Sequence, residues 1–376
     1  MGYVAVTGGD KAIENATKLN KLFRLSHAEE AIDPQVIQEQ MRLLIDRVMG
    51  EGGLYAPEYA AIALKQAEGD PAEASFLLRS YRSTLQRNYT SRTLETKNMR
   101  VIRRISSAFK DIPGGQMLGP TYDYTHRLLD FSLRHENSDI KELLEGLSMD
   151  NGDESDAELL FQKVTILLRE QGLLAQTVEE KEEAPFDITR DKAKFPMTRS
   201  ARLQMLARGE TGAMITLAYS SMRGYGAVHP TIAELRVGYC PVYIPHPFQE
   251  DESLYVGEIM LTEVETINSF SENEQGNIEF MLGYGLVFGQ NEAKAIAMAI
   301  LERSLETKGN SPAQDEEFVL LHIDSIEAHG FVSHLKLPHY VTFQSKLDRI
   351  RQAREEKSKD KVRNRFGNQE DSFSHT

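Results

Sequence analysis

The chain reads as an α+β protein, with a helical N-terminal half and a C-terminal half holding a small, mainly antiparallel sheet packed by helices. Three observations predict this. The helix-start pair Asp-Pro recurs in the first half, at Asp33-Pro34 and Asp70-Pro71. Runs rich in Val, Ile and aromatic residues, bounded by Gly, Pro and Asn, gather in the second half. Those runs follow one another with no helix between them, which favours sequential β–β pairing over a doubly wound sheet.

In order, a short strand Tyr3–Thr7 ends at Gly8-Gly9 and leads into a helix from Asp10. Asp33-Pro34 opens a helix that runs to Met49 and stops at Gly50, and Asp70-Pro71 opens the next. Helical patterns then cover Lys97–Lys110, Tyr122–Arg134 and Ser155–Gln171, the last closed by Gly172. Thr198–Met222 is helical and broken at Gly209. Strands are predicted at Ile232–Ile244, Leu254–Ile267 and Ile278–Phe288, with Gly289 ending the last. Helices follow at Asn291–Glu306 and from Ser311-Pro312 to about Ala328, then a His-bearing loop GFVSHLKLPHY and a charged helix from about Val341.

At roughly 150 residues per domain, 376 residues make about two domains. We divide the chain into a mainly helical domain, 1–185, an α+β domain, 186–355, and a tail, 356–376, of disordered composition. Residues 136–183 hold 14 acids and 4 bases and read as an acidic, solvated segment before the boundary near Pro185. Cys240 is the single cysteine, so no intrachain disulfide and no self-contained iron–sulfur cluster can form. The net charge of −14 disfavours general nucleic-acid binding. No apolar run reaches membrane-spanning length and the N-terminal residues lack a secretory pattern, so a cytoplasmic protein is expected.

Against that acidic background two stretches are basic. Residues 79–110 carry nine bases, Arg103 and Arg104 among them, and one acid, Glu95. Residues 190–236 carry eight, including Arg199, Arg202 and Arg223, against three acids; the turn SSMRGYGAVHP within them adds His229. Guanidinium groups bind oxyanions bidentately. The same groups suit an acidic partner or internal pairing. GYGLVFGQNEAKA, 283–295, is a Gly-rich strand–turn–helix, but its GxGxxxG spacing departs from the dinucleotide fingerprint, and no P-loop occurs. His334 and His339 are separated by four residues across a bend made by Pro338. Two imidazoles so placed can converge on a metal, but zinc wants four ligands, or three and water.

Five long stretches resemble one family in order: MGYVAVTGGDKAI, MRVIRRISSAFKDIPGGQMLGPTYDYTHRLLDF, TRSARLQMLARGETGAMITLAYSSMRGYGAVHPTIAELRVGYCPVYIPHPF, GYGLVFGQNEAKAIAMAILER and HIDSIEAHGFVSHLKLPHYV. The family is PhnI, the I subunit of the bacterial carbon–phosphorus lyase core complex. The resemblance implies that the chain, with companion subunits, displaces adenine from ATP with methylphosphonate to give α-D-ribose 1-methylphosphonate 5-triphosphate, and alone acts as a purine nucleotide nucleosidase. It further implies that His334 and His339 hold zinc shared with the radical iron–sulfur subunit, and that Mg²⁺ arrives as MgATP. The candidate acids or bases for the purine are Asp123, Glu210 and Glu234, each beside a Gly-rich or Arg/His-bearing motif. Each is equally explained by pairing with a nearby arginine. The alternative is a non-catalytic scaffold that supplies a zinc ligand pair and a partner-binding surface.

Overall fold

The computed structural model describes residues 9–27, 29–135, 140–141, 144–145, 161–175, 186–225, 230–249, 251–272 and 276–370. The predicted strand Tyr3–Thr7, most of 136–183 and His229 lie outside them. Residues group into two compact units, Ile32–Ile326 and a second formed by Met1–Ala31 with Glu327–Thr376.

The larger unit begins with four helices, α2 (Pro34–Gln40), α3 (Arg42–Gly52), α4 (Pro57–Gln66) and α5 (Pro71–Thr84). Asp33 caps α2 by accepting from the Gln35 backbone N–H, and Asp70 caps α5 by accepting from those of Ala72 and Glu73. The single helix expected over 34–49 is two, because Met41 leaves helical geometry. The bend brings Ile37 and Ile45 into one apolar core with Val48, Leu64 and Leu78. The second helix ends at Gly52, and Gly53 supplies the left-handed cap at φ 66°.

Among the described residues the sheet is four-stranded, antiparallel and ordered β1 (Arg100–Ile105), β2 (Thr231–Pro245), β3 (Ser253–Glu272), β4 (Ile278–Phe288). The last three are the predicted strands, lengthened at β3. The first corrects the expected helix Lys97–Lys110: a 3₁₀ turn at Thr96–Asn98 leads into a strand. In a strand adjacent side chains point to opposite faces, so Arg103 and Arg104 each meet a different set of acceptors. A helix would have set them about 100° apart around its axis. The expected helix Tyr122–Arg134 is likewise absent; turns lead to a 3₁₀ segment, Phe131–His135. Its apolar residues Leu128, Leu129, Phe131 and Leu133 stay exposed, and a short helix without a surface for its apolar stripe gains little.

One sheet face, with Leu235, Val237 and Val264, packs in a core with α7 (Arg199–Arg208), α8 (Thr211–Ser220), α9 (Glu292–Leu305) and α10 (Glu316–His322). Thr198 caps α7 and Glu210 caps α8, so the break falls at Gly209 as the sequence suggests. Within the GYG motif, a Cβ on Gly285 would sit 2.2 Å from the Ala295 carbonyl oxygen, which shows how closely α9 lies on β4. Short α6 (Val164–Glu170) is what the described residues contain of the predicted 155–171 helix. The helix expected from Ser311 is divided into a 3₁₀ turn, Pro312–Gln314, α10 and α11 (Ser325–Ser333).

The other unit contains α1 (Asp10–Leu25), most of α11, a 3₁₀ turn at His334–Lys336 and α12 (Tyr340–Glu370). Helix α12 continues through residues 356–370, where composition suggested disorder; good helix formers such as Lys, Arg, Glu and Gln dominate the segment. No helix among the described residues is long and apolar enough to cross a membrane.

Candidate functional site

Strands β2 and β3 alternate apolar residues toward the helices with charged residues on the opposite face, and those charges are themselves buried. Arg104, fully buried, donates from Nε to Glu234 Oε1 at 2.5 Å. Its remaining N–H groups reach the carbonyls of Pro113, Gly115 and Gln162, and its guanidinium lies 4.8 Å from the Phe161 ring centre. The other Glu234 oxygen accepts from the Val164 backbone N–H at 2.9 Å. Next in the layer, Glu263 binds Arg236, Lys163 (2.7 Å) and the Tyr284 hydroxyl (3.0 Å). Burial works to raise the Glu263 carboxyl, yet Arg236 and Lys163 outweigh it and hold it down at about 2. Among the described residues these charges pair with one another, and such a paired layer orders the sheet.

The sequence-predicted site residues are thus distributed among separate ion pairs. Arg103 is bound to Asp123, to the Leu118 carbonyl and, at 3.0 Å, to Glu292. Glu210 accepts from the backbone of Gly212 and Ala213 and from Arg47 at 2.6 Å. Burial opposes its ionisation, but those bonds lower its pKa overall. Arg199 bridges Glu302 at 2.8 Å, and Arg202 bridges Glu306 at 3.3 Å. Arg223 is exposed in the turn after α8. Arg104 and Glu234, expected in different roles, are partners of each other. Of the three candidate carboxylates, Asp123 is the most open, its side chain 45% exposed against 14% for Glu210 and 2% for Glu234.

The turn after β4 looks in sequence like an anion cradle at a helix start. In the structure its anion is the chain's own Asp46. Gly289, at φ 68°, has Asp46 packed where a Cβ would be, and the Gln290 backbone N–H donates to Asp46 Oδ2 at 2.9 Å.

His334 and His339 do come together, with ring centres 5.2 Å apart. His334 Nδ1 binds the Phe331 carbonyl and His339 Nδ1 the Leu337 carbonyl, the latter at 2.6 Å. A carbonyl can only accept, so each Nδ1 carries the proton and each Nε2 keeps its lone pair for a metal. The donor set suits zinc, and it is half a set: no group of three or more His, Cys, Asp or Glu with metal-site geometry occurs among the described residues.

A residue not singled out from sequence is Lys294, on α9. It is buried, and its Nζ has no hydrogen-bond partner among the described residues. Burial lowers its pKa to about 8, against the opposing pull of Glu51. The signal available in sequence is one lysine inside the apolar helical run NEAKAIAMAIL.

The long motifs that fold into these pairs are matched by the family model for PhnI, bacterial phosphonate metabolism protein, over residues 2–357. The chain belongs to the PhnI family. Among its relatives is the α-D-ribose 1-methylphosphonate 5-triphosphate synthase subunit PhnI of Escherichia coli K12, 46% identical over 95% of this chain and 99% of the relative. The subunit of the same name from Rhizobium meliloti is 43% identical over 94% of this chain and 95% of the relative. HtxH of Stutzerimonas stutzeri, whose name contains the words C-P lyase subunit, is 50% identical over 93% of this chain and 95% of its own length. The PhnI match includes the acidic 136–183 segment and the His334/His339 turn.

Proposed function

We propose that this chain is the subunit that transfers ribose 5-triphosphate from ATP to methylphosphonate. The observation that carries the reading is that subunits named for that synthase are 46% and 43% identical to it over nearly the whole chain. In the reaction the bond between the ribose anomeric carbon and the adenine nitrogen breaks, and a methylphosphonate oxygen bonds to that carbon. Adenine leaves with the bonding pair and takes up a proton. Attack opposite the base converts a β-nucleotide to an α-product, through an oxocarbenium-like state as in glycoside hydrolysis. Methylphosphonate is already an oxyanion and needs no base; water, in a nucleosidase reaction by the chain alone, does. Asp123 is the candidate carboxylate open to a substrate, since Glu234 and Glu210 are engaged in holding Arg104 and capping α8.

Companion subunits of the C-P lyase pathway complete the reading. His334 and His339 would hold zinc, with a partner subunit giving the remaining ligands. When bound, zinc supplies Lewis-acid polarisation of a phosphoryl oxygen. The internal pairing of the candidate carboxylates favours a second reading, in which this chain supplies surface and zinc ligands while companions carry out the transfer.

The test is phosphorus NMR and adenine release from MgATP and methylphosphonate with the assembled subunits, then with this chain alone. The expected result is the ribose methylphosphonate triphosphate from the assembly and ribose 5-triphosphate from the chain alone. Adenine release that requires companions and is unaffected by Asp123→Asn would establish the scaffold reading. No adenine from any combination would overturn the transferase.

A further inference from the structure

We infer that the cavity between α3, α5, α7 and the sheet is where this chain holds a purine nucleotide, base against the apolar wall and phosphates on Arg82. The inference rests on the reading above and adds its place in the chain.

The cavity measures about 360 Å³, within the range of small-molecule clefts, which are mostly apolar with a few fixed polar groups. Its wall is built by Leu94, Ile259, Leu261, Leu286 and Phe288, a surface suited to the face of a planar base. Two guanidinium groups join the lining, Arg82 from α5 and Arg208 from the end of α7. They flank Gly53. A Cβ there would stand 2.7 Å from Arg82 Nη1 and 3.3 Å from Arg208 Cδ. The φ of 66° at this residue also favours glycine. Sequence and backbone together therefore keep this corner clear for the two arginines.

Arg82 differs from the cations paired elsewhere in the molecule. Its hydrogen bond is to the neutral Gly53 carbonyl, at 3.3 Å. Arg79 and Arg87 lie near it, while the acid facing it, Asp187, is already bound by Arg87 at 2.5 Å. Burial, then those two arginines, press its pKa downward. Arg79 and Arg208 share Asp324, so four arginines meet two acids here; a half-buried cation in that surplus, beside an apolar wall, is relieved by a multivalent anion carrying an apolar group. A nucleoside triphosphate has both parts. An aliphatic acid has one negative charge and no planar base, and serves as the competing ligand in the test.

The experiment uses the assembled complex, with methylphosphonate omitted. Affinity for MgATP is measured by equilibrium dialysis for wild type, Arg82→Gln, Ala207→Phe (bulk added to the lining) and Arg351→Gln (equal charge removed from the other unit). We expect Arg82→Gln to weaken binding about tenfold or more, Ala207→Phe to abolish it and Arg351→Gln to leave it unchanged. Wild-type complex is also photolabelled with 8-azido-ATP and the labelled peptides are mapped, which depends on no variant folding. Label on peptides containing Gly50–Gly53, Leu94 or Phe288 supports the placement. Label only elsewhere, wild-type affinity in both cavity variants, or displacement of MgATP solely by an aliphatic acid overturns it while leaving the transferase reading intact. Wild type that neither binds MgATP nor releases adenine refutes the transferase reading itself.

Discussion

Truncating Glu234 to Ala tests whether the predicted catalytic carboxylate is instead a structural counter-ion. Arg104 is fully buried and Glu234 is 2% exposed, and they meet at 2.5 Å. The variant strands a guanidinium that keeps three backbone carbonyl acceptors but no negative charge. It also removes the acceptor of the Val164 N–H at the start of α6. Breaking a buried pair by removing one partner typically costs about 3–5 kcal/mol, because the remaining charge is uncompensated. Replacing both partners, as Arg104→Met with Glu234→Leu, removes that stranded charge and should recover most of the loss. The Glu95/Lys97 pair is the contrast: both side chains are more than half exposed, and breaking it should cost about 0–1 kcal/mol. The assay is urea unfolding followed by circular dichroism at pH 7, with adenine release measured on the folded fraction. A Glu234→Ala loss below about 1 kcal/mol, or release abolished in fully folded variant, would refute the structural assignment.

Three further outcomes are expected. Lys294 has a folded pKa of about 8 against 10.5 for the free side chain; the unfolded chain therefore binds the extra proton between those values, and stability should rise as pH climbs through that window, by up to about 3 kcal/mol. Lys294→Met should flatten the rise in thermal melts taken from pH 7.5 to 10.5, and an unchanged slope would show that Lys294 is not its source. Replacing His334 and His339 together by Ala should cost the assembled complex the zinc proposed for this pair, read by metal analysis, while leaving the chain's own melting temperature unchanged because both rings are only partly buried. Gly285→Val should destabilise by about 1–3 kcal/mol in urea unfolding, since its Cβ would collide with the Ala295 carbonyl and push α9 off β4; wild-type stability would contradict the close approach.

Much of the fold was legible in local chemistry. Asp33 and Asp70 cap the helices they were expected to cap, Gly289 ends β4, and the three Val/Ile-rich runs pair in sequence order. These depend on contacts within a few residues. The errors lie where the partner is distant. Arg100–Ile105 falls within a helical local pattern, but Arg104 meets Glu234, 130 positions along the chain. Tyr122–Arg134 has helical spacing and no surface that buries its leucines.

The same division governs function. Composition excluded a self-contained iron–sulfur cluster, and the long motifs determined membership of the PhnI family, because both are properties of the residues themselves. The proximity of His334 and His339 was visible from their spacing around Pro338, since a short bend sets it. Only the tertiary structure decided which charges are spent. Each arginine in a basic stretch looks equally available in sequence. Its availability depends on acids brought in from other elements, and folding pairs Arg103, Arg104, Arg199 and Arg202 internally. It leaves Arg82 bound to a neutral carbonyl beside an apolar cavity.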